Sequence, residues 1–176
     1  MKKIILFFMI SILLGCISQK KAIKKSTSLD KTTINTLLTA WHKAATNADY
    51  KGYFNKMDSV SVFIGTDATE NWTKKQFANF SKPFFDKGKA WSFKTLERNI
   101  YLNDAKNFAW FDELLNTWMG TCRGSGVLEK KDNVWKIKHY VLYVELPNNE
   151  VQKVILAKKK KDSIFLQKFH KQGLED

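Results

Sequence analysis

The chain of 176 residues is short of cysteine, proline, glycine and histidine: it holds two Cys, two Pro, eight Gly and three His. Two cysteines allow at most one intrachain disulfide, which excludes the small disulfide-stapled class. So few prolines and glycines exclude collagen-like and low-complexity chains. The three histidines, His42, His139 and His170, have no metal-ligand spacing, so no metal is expected. No phosphate-binding glycine loop and no catalytic-triad signature is present, and no cofactor is expected. Long apolar runs are also lacking. The longest, Ile4 to Leu14, is apolar apart from Ser11. As a helix it spans roughly 16 Å, about half of a ~30 Å hydrocarbon core, too little for a stable transmembrane span.

Positive charge is plentiful but unevenly spread. The chain carries +13 overall, yet between Ser28 and Glu150 there are 17 Lys plus Arg against 14 Asp plus Glu. The excess lies at the ends, in Lys2, Lys3, Lys20, Lys21, Lys24 and Lys25, and in the C-terminal segment with Lys158 to Lys161. The central segment is close to neutral, so the basic face of a nucleic-acid binder is missing and nucleic acid is not an expected partner. Lysines beside a membrane anchor meet anionic headgroups at ~1 kcal/mol each. The same residues equally serve as a solvated, extended tether, and the sequence leaves both readings open.

The N-terminus has the parts of an export signal: Lys2 and Lys3, a short apolar stretch and a small-residue exit. Its end, Leu13-Leu14-Gly15-Cys16, resembles the bacterial lipobox. That resemblance implies removal of residues 1–15, lipid on Cys16, and a protein tethered to a membrane of the bacterial cell envelope, with its folded part outside the cytoplasm. Two or more acyl chains hold firmly where one is marginal, at ~0.8 kcal/mol per buried CH₂. An ordinary signal with a coincidental cysteine is the weaker reading. Cys122 is then left without a partner and reads as a buried small hydrophobe rather than a nucleophile.

Residues 16–28 read as the lipidated cysteine and a basic flexible tether. Residues 29–150 form one domain, and 151–176 a basic C-terminal helix or tail. Ile34, Leu37, Leu38, Trp41, Ala45 and Ala48 recur at helical steps, predicting a helix from about Asp30 to Ala48. Asp49 can cap a short second helix burying Tyr50, Tyr53, Phe54 and Met57. A strand follows at Val60 to Ile64. Asp67 to Glu70 and Thr73 to Gln76 each match capping-box spacing, and the second opens a helix with Phe77, Phe80, Phe84 and Phe85, kinked by Pro83. Strands are then expected at about 91–103, 107–118, 121–131 and 134–146, with Asn103-Asp104, Gly120 and Asp132-Asn133 as hairpin turns. The fold class is α+β: a curved antiparallel sheet packed on N-terminal helices, plus a C-terminal helix. On the last strand Trp135, Ile137 and His139 alternate with lysines and are assigned inward. Beyond them both faces turn apolar, so the C-terminal helix or a second subunit should cover the outer one.

An ordered set of pieces resembles the SnoaL-like branch of the nuclear transport factor 2-like superfamily. The set comprises Trp41 with Ala48-Asp49-Tyr50, Ile64-Gly65-Thr66-Asp67 with Glu70 and Trp72, Ala109 to Glu113, Arg123-Gly124-Ser125-Gly126-Val127-Leu128, Trp135-Lys136-Ile137, and Leu146-Pro147-Asn148. It covers residues ~30 to 150. The resemblance implies a cone-shaped sheet with a pocket at its wide end, and a homodimer through the sheet's outer face. It does not fix activity, since members include cyclases, isomerases and dehydratases beside binding and assembly modules.

His139 is the sharpest candidate for acid–base chemistry, against a buried imidazole satisfied by a neighbour. Asp112 and Glu113 point to opposite faces, and Glu113 shares its side with Ala109 and Phe111, so it is assigned inward. A buried carboxylate needs a partner, and Arg123 on the next strand is the expected one, as a structural pair or as an anion-binding site. Ser125 between Gly124 and Gly126 reads as a bend in the sheet. Trp41, Tyr53, Trp72, Trp110, Trp118 and Tyr143 are candidates to line a pocket, though most are expected simply to fill the core. The preferred function is a non-catalytic, lipid-anchored domain that binds a small, partly apolar ligand or a protein partner. The alternatives are an isomerase, dehydratase or cyclase-type enzyme using His139 and Glu113, and a dimeric scaffold whose cone is filled by its own side chains. The enzyme needs a dry pocket of at least ~300 Å³ with both groups projecting into it.

Overall fold

A computed structural model describes residues 28–170. Residues 1–27, on which the expected export signal, Cys16 and the tether fall, and residues 171–176 of the expected C-terminal tail lie outside the described residues. The chain divides into two units, one ending at Val144 and the other beginning at Glu145.

In the first unit, helix α1 (28–46) buries Ile34, Leu38, Trp41 and Ala45, the stripe its spacing predicts. Helix α2 (Tyr50–Phe54) starts at Asp49, whose carboxylate accepts from Gly52 N at 2.8 Å. Strand β1 (Met57–Ile64) and the short β2 (Asn71–Thr73) form a hairpin. Asp67 therefore opens no helix: Glu70 Oε2 accepts from Asp67 N at 3.2 Å across the hairpin turn. Thr73 and Gln76 do form a reciprocal capping box at the head of α3 (Lys74–Asp86), which runs on through Pro83. Phe77 and Phe85 are buried while Phe80 and Phe84 are exposed.

Four strands then make the expected antiparallel meander: β3 (Lys94–Leu102), β4 (Phe108–Thr117), β5 (Gly120–Lys131) and β6 (Val134–Val144). Gly120 at φ 88° and the pair Asp132 and Asn133 at φ 50° and 61° supply the left-handed backbone that tight hairpins need. The six-stranded sheet has the order β2-β1-β6-β5-β4-β3, with β1 parallel to β6. Helix α1 packs on its inner face, where Trp41 meets Tyr140 edge-on at 4.8 Å.

One irregularity decides which side chains face inward. Val127 pairs with His139 but Leu128 pairs with Ile137, so Lys138 is an extra residue in β6. This bulge reverses the alternation. Trp135 and Ile137 are buried, and beyond the bulge Tyr140 and Leu142 take the inner positions. His139, assigned inward from simple alternation, lies on the outer face.

The second unit is a 3₁₀ turn (Asn148–Glu150) leading into helix α4 (Val151–His170). Among the described residues no helix is long and apolar enough to cross a membrane.

Candidate functional site

The inner face of the sheet carries one buried carboxylate. Glu113 on β4 is 0% exposed. Its Oε1 accepts from His42 Nε2 of α1 at 2.7 Å and from the Tyr140 hydroxyl of β6 at 3.0 Å. Its Oε2 accepts from Arg98 Nε and Nη2 of β3 at 2.9 and 2.7 Å. A carboxylate offers about four lone-pair sites, and here each is taken. Burial pushes the Glu113 carboxyl up, but the hydrogen bonds and charges of His42 and Arg98 outweigh it and hold the group below its ordinary value. Glu113 is therefore an anion, and His42 Nε2 is the donor in their contact. Burial first, then the Glu113 charge, raises the Tyr140 and Tyr53 hydroxyls well above the usual phenol range, so both stay protonated.

Arg98 is as fully engaged as its partner. Nη1 donates to the backbone and side-chain oxygens of Asn35 at 3.2 and 2.9 Å and to the Thr39 hydroxyl at 3.0 Å. Nη2 also reaches Thr95 at 3.1 Å. The cluster thus clasps α1 to three strands of the sheet. Removing one member of such a buried charged set costs about 3–5 kcal/mol, because the rest is left uncompensated.

The sequence placed Glu113 inward, and there it lies, but its partner is Arg98 rather than Arg123. Arg123 stands opposite Leu114, on the other face, with Nη1 3.6 Å from Asp112. His139 does not reach the cluster; His42 occupies the place expected of it. Trp110 and Tyr143, taken as pocket candidates, are on the outer face and 48% and 43% exposed. Trp41 and Tyr53 are inside, where, stacked at 4.9 Å, they fill the centre of the domain. Of the aromatic candidates, Trp72 and Trp118 line an opening.

That opening is a cavity of about 150 Å³ near the β1–β2 and β4–β5 turns. Trp72, Phe80, Trp91 and Phe93 form part of its wall, with Phe63 and Phe77 deeper in the core. Trp118 and Met119, from the β4–β5 turn, and Leu142 complete the apolar lining. Among the described residues its single charged one is Glu70. The volume is about half what an enzyme of the kind considered above requires, and neither Glu113 nor His139 lines it. A larger depression, about 460 Å³, lies between α1 and β3. Its Arg98 is already committed to Glu113, Asn35 and Thr39, and its Lys31 stands 6.0 Å from the Tyr101 ring centroid. Among the described residues no group of three or more His, Cys, Asp or Glu is gathered as a metal would need.

A mixed six-stranded curved sheet, with helices on its inner face and an aromatic opening, defines an α+β domain of the cystatin-like, nuclear transport factor 2-like class. Within that class the chain belongs to the SnoaL-like domain family, whose sequence profile matches residues 34–145. Solved structures agree in fold. A nuclear transport factor 2-like protein of unknown function from Pseudomonas putida superposes with a TM-score of 0.59 at 11% identity, over 69% of this chain and 90% of that one. A candidate dehydratase of the same superfamily from Streptomyces avermitilis gives 0.59 at 10% identity, over 69% and 99%. The association domain of C. elegans CaMKII gives 0.56 at 16% identity, over 68% and 98%. A comparison with curated proteins found no match.

Proposed function

We propose that this protein is a non-catalytic binding module of the bacterial cell envelope, held to a membrane by lipid on Cys16, whose aromatic mouth takes a small, partly apolar ligand. The observation that carries the non-catalytic reading is the saturation of Glu113. A general acid or base must have a lone pair or proton to exchange with substrate, and this carboxylate spends all four sites on His42, Tyr140 and Arg98. His139, the other half of the enzymatic pair, faces away from it. The mouth supports binding: it is concave, apolar and bounded by few polar groups, as small-molecule sites are. The lipobox-like Leu13-Leu14-Gly15-Cys16 and the lysines near it support the anchor. The exposed aromatic residues of the outer sheet face support a homodimer.

Native mass spectrometry of the chain purified from its own envelope tests the reading. A small molecule should co-purify, and Trp72→Ala should lose it while keeping the fold. A bare protein mass in both would argue for a filled scaffold instead.

A further inference from the structure

Resting on the binding role just proposed, we infer that the aromatic mouth receives a quaternary ammonium head, the N-methylated end of a small organic cation. Of the twelve described residues that line the cavity, seven carry aromatic rings and none is Lys, Arg or His. Ring faces are negative, and a cation within about 6 Å of a ring centroid is attracted to it. An anionic head would find no countercharge here. A primary ammonium would want several acceptors, whereas a quaternary one wants none and shows methyl groups to the rings.

Glu70 supplies the matching charge. It forms no ion pair among the described residues, and Oε2 is steadied by Asp67 N at 3.2 Å. Its position depends on Gly65, since a Cβ there would stand 2.1 Å from the same oxygen. The backbone is bare where the carboxylate lies against it. Size agrees as well. About 150 Å³ admits a small head and is well short of what a drug-sized ligand fills. Trp118 is 80% exposed yet lines the cavity, so a seated cation would cover an indole that otherwise faces water.

Calorimetric titration of the full chain, solubilised in a neutral detergent, with choline and with its uncharged isostere 3,3-dimethylbutan-1-ol separates charge from shape. Choline should bind about tenfold more tightly than the alcohol. Glu70→Gln should weaken choline several-fold and bring its affinity close to that of the alcohol, and choline should alter Trp118 fluorescence. Equal affinities, or a choline affinity indifferent to Glu70→Gln, would overturn the cation head and leave the binding mouth standing. If neither ligand binds while a molecule still co-purifies from the envelope, the cation head alone is overturned. If nothing co-purifies either, the binding role goes with it.

Discussion

Gly124 leaves open the space that Tyr140 occupies: a Cβ on Gly124 would stand 2.1 Å from the Tyr140 hydroxyl. Gly124 is also the residue directly opposite Glu113 in the β4–β5 register. The missing side chain lets the phenol from β6 lean past β5 and reach the carboxylate on β4. Gly124→Ala should therefore displace that hydroxyl and cost at least the charge-assisted bond, about 1.5–3 kcal/mol. Tyr140→Phe should cost a similar amount. Because both changes act on one contact, urea unfolding of the double variant should show less than the sum of the two. Strict additivity would mean that Gly124 serves some other purpose.

Glu113 ties stability to pH, and the sign follows from its lowered proton affinity. A carboxyl whose folded value lies below its ordinary 4.5 stabilises the fold fully above that value. The contribution drains away as the pH falls through the folded value. Glu113→Gln should lose about 3–5 kcal/mol at neutral pH. From about pH 4.5 downward its stability should fall less steeply than that of the unsubstituted protein. Parallel acid limbs for the two would show that Glu113 is not the linked group.

Much of this architecture was legible because it is local. The hairpin turns at Asn103-Asp104, Gly120 and Asp132-Asn133 announce themselves, and the stripe of α1 is read from spacing alone. Alternation sufficed to turn Glu113 inward on the regular strand β4. It failed for His139 because one extra residue, Lys138, reverses the faces of β6, and a bulge has no fixed composition. The parallel pairing of β1 with β6 was also invisible, since a crossover leaves no turn signature. Arg98 could have been found. Counting outward from the Asn103 turn sets it opposite Glu113, whereas the same count from Gly120 sets Arg123 opposite Leu114. His42 had a signal too, one turn beyond Leu38 on the apolar face of α1.

Cys16 makes a prediction that is independent of the fold. If lipid is added there, the mature chain begins at residue 16, and its intact mass exceeds that of the polypeptide by the acyl groups. Cys16→Ser should remove the added mass and move the protein from the detergent phase to the aqueous phase on phase separation, because two or more chains carry most of the membrane affinity. A native protein that still begins at Met1, or partitions the same way without its sulfur, would refute the anchor.

The outer face of the sheet leads to the last prediction. Tyr101 and Trp110 stack there at 5.8 Å with 17° between their planes, and both are exposed. Trp110 stands opposite Val127, and Val127 opposite His139, so a mostly apolar row crosses four strands. A second copy related by a two-fold axis would set this row against itself, which is the self-complementary geometry of a homodimer. Trp110→Glu places a charge in the middle of the row while touching none of the Glu113 cluster. Sedimentation should then give a dimer for the unsubstituted chain at micromolar concentration and a monomer for the variant, with the thermal midpoint of the isolated fold little changed. Monomers in both cases would show that the row is simply solvated. A dimer that survives the substitution would place the interface elsewhere.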